Sequence, residues 1–122
     1  ALYGAARIFL FPAAGDVWSV VANEACAAGL PVIVSPHAGA AGELVLHGEN
    51  GYICEPDADA WAARAVALLT NEAAYEAFSR RSAALAARYT FEHASAGIVD
   101  ACRHAVGVRH LEKWKKAEGM AG

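Results

Sequence analysis

Two short apolar runs, each shut off by proline, constrain this chain more than any other feature. Arg7–Phe11 is apolar beyond its first residue, with β-branched Ile8 and two aromatic rings, and Pro12 closes it; Val32–Ser35 lies between Pro31 and Pro36. Runs this short, with prolines at their ends, read as buried strands, because a helix needs more length and proline cannot continue one. Between them, Ala13–Asp16 is a flexible turn, and Trp18–Ala28 carries a helical apolar pattern that Gly29 stops and Pro31 keeps from resuming. Strand, turn, helix and strand joined this tightly make a βαβ unit, whose strands are parallel with a right-handed crossover. The fold class expected is α/β.

The rest of the chain extends that unit. His37–Ala41 is a glycine-containing loop leading to a short helix expected over Gly42–His47; Gly48–Gly51 is a turn, because glycine and asparagine tolerate positive φ. Tyr52–Cys54 is a third, very short strand. Asp57 or Asp59 caps a helix reaching about Leu69, with Trp61, Ala65, Leu68 and Leu69 on one face; Asn71 caps the next, to about Arg88; Thr90 caps a third, to about Val106. The tail 109–122 is basic at Lys113, Lys115 and Lys116 and reads as a final helix or a frayed end. There is no internal repeat and no linker, so we expect a single domain.

Composition narrows the function classes. With 57% hydrophobic and 19% charged residues in 122, the chain is too apolar for disorder. Alanine fills about a quarter of the positions, which favours helices and their close packing and says little about chemistry. A net charge of -3 argues against a nucleic-acid partner, which calls for a strong basic patch. Cys26, Cys54 and Cys102 fit no zinc or redox spacing and are expected to be small packing residues in a reducing compartment. His47, His93, His104 and His110 share no metal-ligand spacing with cysteine or carboxylate, and no membrane-length apolar segment or nucleophile triad is legible.

Chemistry concentrates between Pro12 and Pro36. Parallel α/β sheets bind ligands at the carboxyl ends of their strands, so the loop Pro12–Val17 is a candidate site. The helix after it offers unpaired N–H groups and the positive end of its dipole, an environment suited to a diphosphate. Asp16 stands at the helix entry, where it is either an N-cap or a ligand residue. Glu24 follows eight residues later, a step ~80° off one helical face, so both line one site only if Asp16 sits in the loop. A carboxylate can accept from two adjacent sugar hydroxyls; buried without a partner on a mostly apolar helix, Glu24 would be costly. His37 and Gly39, in the loop after the second strand, are at the same edge and read as structural; Glu43 reads as serving the first turn of its short helix.

These residues carry a resemblance. The run D-x-W-x-x-V-x-N-E-A-x-A-x-G-L-P-V-I from Asp16, then S-P-x-A-G-A-x-G-E-L-V from Ser35 and H-G-x-N-G-Y from His47, is similar to the retaining GT-B-fold glycosyltransferases of family 4. The resemblance runs from Ala1 to about Val106. It implies a partial Rossmann-like, three-layer domain with about three parallel strands: the C-terminal half of a donor domain over 1–107, with 108–122 as a tail. The resemblance makes Glu24 the acid that binds the nucleotide ribose and Asp16 the acid that contacts the donor sugar, both counted with the catalytic machinery. The amides of Trp18, Ser19 and Val20, with Val17 beside them, would hold the donor phosphates. Asp16 stands where the family has Glu, one methylene longer, and Ser19 where it has Gly; Ser19 keeps the amide contact if its backbone is helical.

The implied reaction is transfer of a sugar from a nucleotide-diphospho-sugar to a glycan or lipid-linked acceptor, by front-face substitution with the phosphate as base. It needs no metal and no cofactor. Cytoplasmic location is implied, the inner face of the cell membrane included. The acceptor domain and the basic residues facing the diphosphate are not in this sequence, so the chain alone is expected to be inactive and its Arg7–Phe11 strand to be a bare edge prone to self-association. Two other functions fit the same residues, a non-catalytic nucleotide-sugar-binding module and a sugar-nucleotide epimerase of the same fold.

Overall fold

The computed structural model describes residues 2–107. The tail with His110 and the three lysines lies outside them. The chain divides into two compact units, with the boundary between Arg88 and Tyr89, and each is described by itself.

The first unit opens with a 3-10 turn at Tyr3–Ala5 and continues as β1 (Phe9–Phe11), α1 (Val20–Ala27), β2 (Val32–Val34), β3 (Gly51–Ile53), α2 (Ala58–Thr70) and α3 (Glu72–Ala86). The strands form one parallel sheet in the order β1-β2-β3. Phe9 pairs with Val32 and Phe11 with Val34; Val32 pairs in turn with Gly51 and Val34 with Ile53. β2 is central because its sequence is apolar throughout: Val32, Ile33 and Val34 are all fully buried, each worth roughly 1.5–3 kcal/mol. Among the described residues β1 is paired on one side only, and its Leu10 is 49% exposed. The expected βαβ unit with parallel strands is present.

Around the sheet, α1 packs on β1, β2 and α3, while α2 packs on β2 and α3. The small face Ala22, Ala25 and Cys26 of α1 is fully buried, so alanine does serve close packing here. Burial pushes the Cys26 thiol up to about 11, against hydrogen bonds from Ser82 and Asn50 that lower it; it is a packing residue, whereas Cys54 is half-buried and Cys102 exposed. Asn50 is buried and its amide braces the turn before β3, with Oδ1 accepting from Leu46 N–H at 2.8 Å and Nδ2 donating to Leu44 O at 3.0 Å. Asp57, rather than Asp59, caps α2 by accepting from Ala60 N–H, and Asn71 caps α3 by accepting from Ala74 N–H.

Three expectations need correction. The segment Gly42–His47 is not a helix: Gly42 turns to φ 83°, and the chain folds back so that Ala41 and Val45 form an isolated bridge. Leu69 leaves the buried face of α2 and is 46% exposed, while Trp61 and Leu68 are buried. The helix expected from Trp18 begins only at Val20, because Ser19 is left-handed, at φ 70° and ψ 63°.

The second unit contains α4 (Phe91–Val106), capped by Thr90, whose Oγ1 accepts from His93 N–H at 3.2 Å. No helix among the described residues is long and apolar enough to cross a membrane.

Three substitutions test this packing. A β-carbon on Gly51 would stand 1.9 Å from the Val32 carbonyl oxygen. Gly51→Ala is therefore expected to destabilise the chain by about 3 kcal/mol in urea unfolding, while Gly15→Ala, with nothing within 4 Å, changes it by less than ~0.5 kcal/mol. Ser19→Gly relieves a left-handed side chain and is expected to stabilise by about 1 kcal/mol, read as a raised thermal midpoint.

Candidate functional site

The parallel register brings the carboxyl ends of β1, β2 and β3 to one edge of the sheet, at Phe11, Val34 and Ile53. The loops that leave these ends are the polar, ligand-facing elements of such a sheet. The first carries Pro12–Ser19, the second Ser35–Gly39, and the third begins at Cys54, whose N–H donates to Val34 O at 3.0 Å. His37 Nε2 and Glu55 Oε2, from the second and third loops, lie 3.6 Å apart on the surface and pair when the imidazole is protonated.

Asp16 is exposed and lies in the loop, four residues before α1 begins. It is not the N-cap; that position belongs to Ser19, which makes no side-chain capping bond. The Asp16 backbone is fixed on both sides: its N–H donates to His37 O at 3.3 Å and its carbonyl accepts from Gly39 N–H at 2.9 Å. Asp16 is therefore held ahead of the helix rather than on it. Val17 is 95% exposed next to it, and Trp18 is half-buried.

Ser19 governs the start of α1. Its carbonyl accepts from Ala22 N–H at 2.9 Å and Asn23 N–H at 3.2 Å. The N–H groups of Val20 and Val21 open the helix, where helix geometry provides no acceptor within the helix itself. A helical backbone at Ser19 was the sequence expectation, and the left-handed one replaces it. Ser19 adopts the φ that a glycine takes freely, and it is the only non-glycine residue with positive φ among the described residues. Its side chain is 4% exposed, and Ser19 Oγ and Asn23 Oδ1 are buried there without hydrogen-bond partners.

Glu24 is exposed on α1, and it is not alone: Tyr3 Oη donates to Glu24 Oε2 at 2.9 Å. The burial cost that the apolar helix suggested does not arise, because the carboxylate faces solvent. Tyr3 was invisible to sequence reasoning, since it reaches Glu24 from twenty-one positions away. Ser35 was missed in the same way: it is fully buried and its Oγ donates to Ala13 O, tying the second loop to the first. Gly39 has a steric task in the loop after β2, because a β-carbon there would lie 1.8 Å from the Val17 carbonyl oxygen.

Other candidates stand apart. His47 accepts the Ile53 N–H at Nδ1, 3.1 Å away, and its ring meets Tyr52 edge-on, which makes it a brace for β3. No group of three or more His, Cys, Asp or Glu among the described residues could hold a metal ion.

This geometry has relatives. Residues 1–71 match the family described as "Glycosyl transferases group 1". Sucrose-phosphate synthase from Thermosynechococcus elongatus superposes with a TM-score of 0.73 at 26% identity, over 87% of this chain and 27% of that one. The C-terminal domain of a glycosyl transferase group 1 family protein from Francisella tularensis superposes with a TM-score of 0.62 at 25% identity, over 69% of this chain and 43% of that one. The chain thus spans less than half of either structure. No curated protein sequence gives a significant match. With the family matched over more than half of its length and the fold shared with a C-terminal domain of the same family, the chain belongs to the glycosyl transferases of group 1.

Proposed function

We propose that this chain is the nucleotide-sugar-binding part of a retaining, hexose-transferring glycosyltransferase that moves a sugar from a nucleotide-diphospho-sugar onto a glycan or lipid-linked acceptor in the cytoplasm, as a step of glycoconjugate synthesis. The observation that carries this reading is the order of features from β1 into α1: an exposed Asp16 in the loop after β1, a left-handed Ser19 opening α1, and an exposed Glu24 farther along that helix.

Each part has a chemical task. Glu24 accepts from the ribose hydroxyls, for which a carboxylate offers two acceptor oxygens, one of them shared with Tyr3. A left-handed residue beside right-handed ones gathers backbone N–H groups into an anion-binding concavity, and the helix dipole adds to it; this supports the diphosphate at the amides of Trp18, Ser19 and Val20. Asp16, fixed at both backbone ends, contacts the donor sugar next to Val17. The sugar's anomeric carbon–oxygen bond to the diphosphate breaks as the acceptor oxygen bonds that carbon from the same face, and the departing phosphate takes the acceptor proton, so the step uses no protein nucleophile; the family resemblance implies that it uses no metal.

Residues 1–107 then form part of a donor domain, and 108–122 a tail. On this reading the residues that bind the acceptor and the charges that face the diphosphate are not among those of this chain. The isolated chain is inactive in transfer, and its β1 edge is a route to self-association. The single paired side of β1 supports the latter.

Calorimetry of the intact protein with nucleoside diphosphates tests the ribose assignment. Glu24→Ala is expected to lose about 10- to 100-fold in affinity, the worth of hydrogen bonds to a charged group; unchanged affinity overturns the assignment. Binding of the nucleotide without any sugar transfer by the intact protein would favour a non-catalytic module.

Tyr3 reports independently on the Glu24 carboxylate. Its hydrogen bond to Glu24 holds the phenol above its ordinary value, with smaller contributions from desolvation and from the negative charge. Because the folded-state pKa is the higher one, this bond's contribution is intact below about pH 10 and is lost as pH rises through the folded value. In an alkaline absorbance titration, with Tyr3→Phe used to identify the Tyr3 signal, Glu24→Gln is expected to move that transition down. An unmoved transition would mean that the two groups are not bonded in solution.

A further inference from the structure

The pairing of β1 with β2 continues beyond both strands. Ser35 N–H donates to Phe11 O at 3.2 Å, Ser35 Oγ donates to Ala13 O, Asp16 N–H donates to His37 O at 3.3 Å, and Gly39 N–H donates to Asp16 O at 2.9 Å. The loop held in this way has little of its own to fix it. Ala14 and Gly15 are exposed, and a β-carbon on Gly15 would touch nothing. Loops of small exposed residues sample many backbone states unless long-range bonds select one.

Two residues of the second loop do the selecting. Ser35 is fully buried, so its hydroxyl has no water to exchange for Ala13 O, and losing it leaves that carbonyl without this donor. Gly39 lies directly on the peptide that leads into α1: a β-carbon there would stand 1.8 Å from Val17 O, 2.4 Å from Val17 C and 2.9 Å from Trp18 N. Those are backbone atoms, which cannot swing aside as the end of a flexible side chain can. Any side chain at position 39 must push the Val17–Trp18 peptide out of place.

We infer that Ser35 and Gly39 are positioning residues that set the Pro12–Ser19 loop for the sugar-diphosphate end of the donor, an inference that rests on the donor-binding reading above. Glu24 sits inside α1, whose own hydrogen bonds and packing on α3 hold it. The nucleoside end is therefore recognised on a rigid helix and the sugar-diphosphate end on a clamped loop, and damage to the clamp separates the two.

The experiment uses the intact protein with Ser35→Ala, Ser35→Thr and Gly39→Ala. UDP-glucose, GDP-mannose and ADP-glucose are the probes, each compared with its own nucleoside by calorimetry, and amide hydrogen exchange is followed over residues 13–18. Ser35→Ala is expected to speed exchange in that loop and to weaken the bound nucleotide-sugar about tenfold, one hydrogen bond's worth, with nucleoside affinity unchanged; Ser35→Thr restores both. Gly39→Ala is expected to give the same pattern more strongly. Unchanged exchange, equal losses for nucleotide-sugar and nucleoside, or failure of Ser35→Thr to rescue overturns the proposal. A wild type that binds none of the three probes removes the donor reading, and the exchange result then decides by itself whether the clamp exists.

Discussion

The seam between β1 and β2 is the interaction on which the rest of this structure depends. Three residue pairs define the parallel register, Phe9 with Val32, Leu10 with Ile33 and Phe11 with Val34. β2 is fully buried, and a one-residue slip would reverse every side chain of its partner, so the register is strongly specified. From that register follow the position of the loop after β1, the bond of Asp16 to the His37–Gly39 segment, and the point at which α1 can begin. The carboxyl edge of the sheet is organised by the same apolar burial that makes the sheet.

Among the described residues, backbone strain and unpartnered buried oxygens gather at the start of α1. Ser19 is left-handed at a cost of ~1–2 kcal/mol for a residue with a side chain, and Ser19 Oγ and Asn23 Oδ1 are buried unpartnered beside it. Two and a half turns away, the other end of the helix is conventional: Gly29, at φ 77°, ends it, and Leu30 N–H returns to Ala25 O at 3.0 Å. Burial of Ala22, Ala25 and Cys26 holds the helix in place despite the strained entry. Strain of this kind persists where the surroundings over-determine a backbone, and it clusters at functional sites.

What the sequence revealed and what it concealed divide along contact range. The strands, the helix caps Asp57, Asn71 and Thr90, and the glycine stop at the end of α1 are local signals, carried by residues within a few positions of the feature they specify. The segment Gly42–His47 misled because its apolar Leu44 and Val45 are buried by a folded-back turn rather than by a helical face. The left-handed Ser19 was hidden for a different reason: serine gives no local hint of positive φ. Tyr3 on Glu24, Ser35 on Ala13 and Gly39 against Val17 all join distant positions. Acidic candidates were readable from residue type and spacing; the groups that hold them were not.

The central claim is that the loop Pro12–Ser19 and the first turns of α1 form the donor site. Amide chemical-shift mapping of the intact protein during titration with a nucleotide-diphospho-sugar tests it most directly. The account predicts that the largest shifts fall on residues 16–24, with smaller ones on the clamping segment 35–39. Saturable shifts confined to other surfaces, with residues 16–24 unmoved, would contradict it.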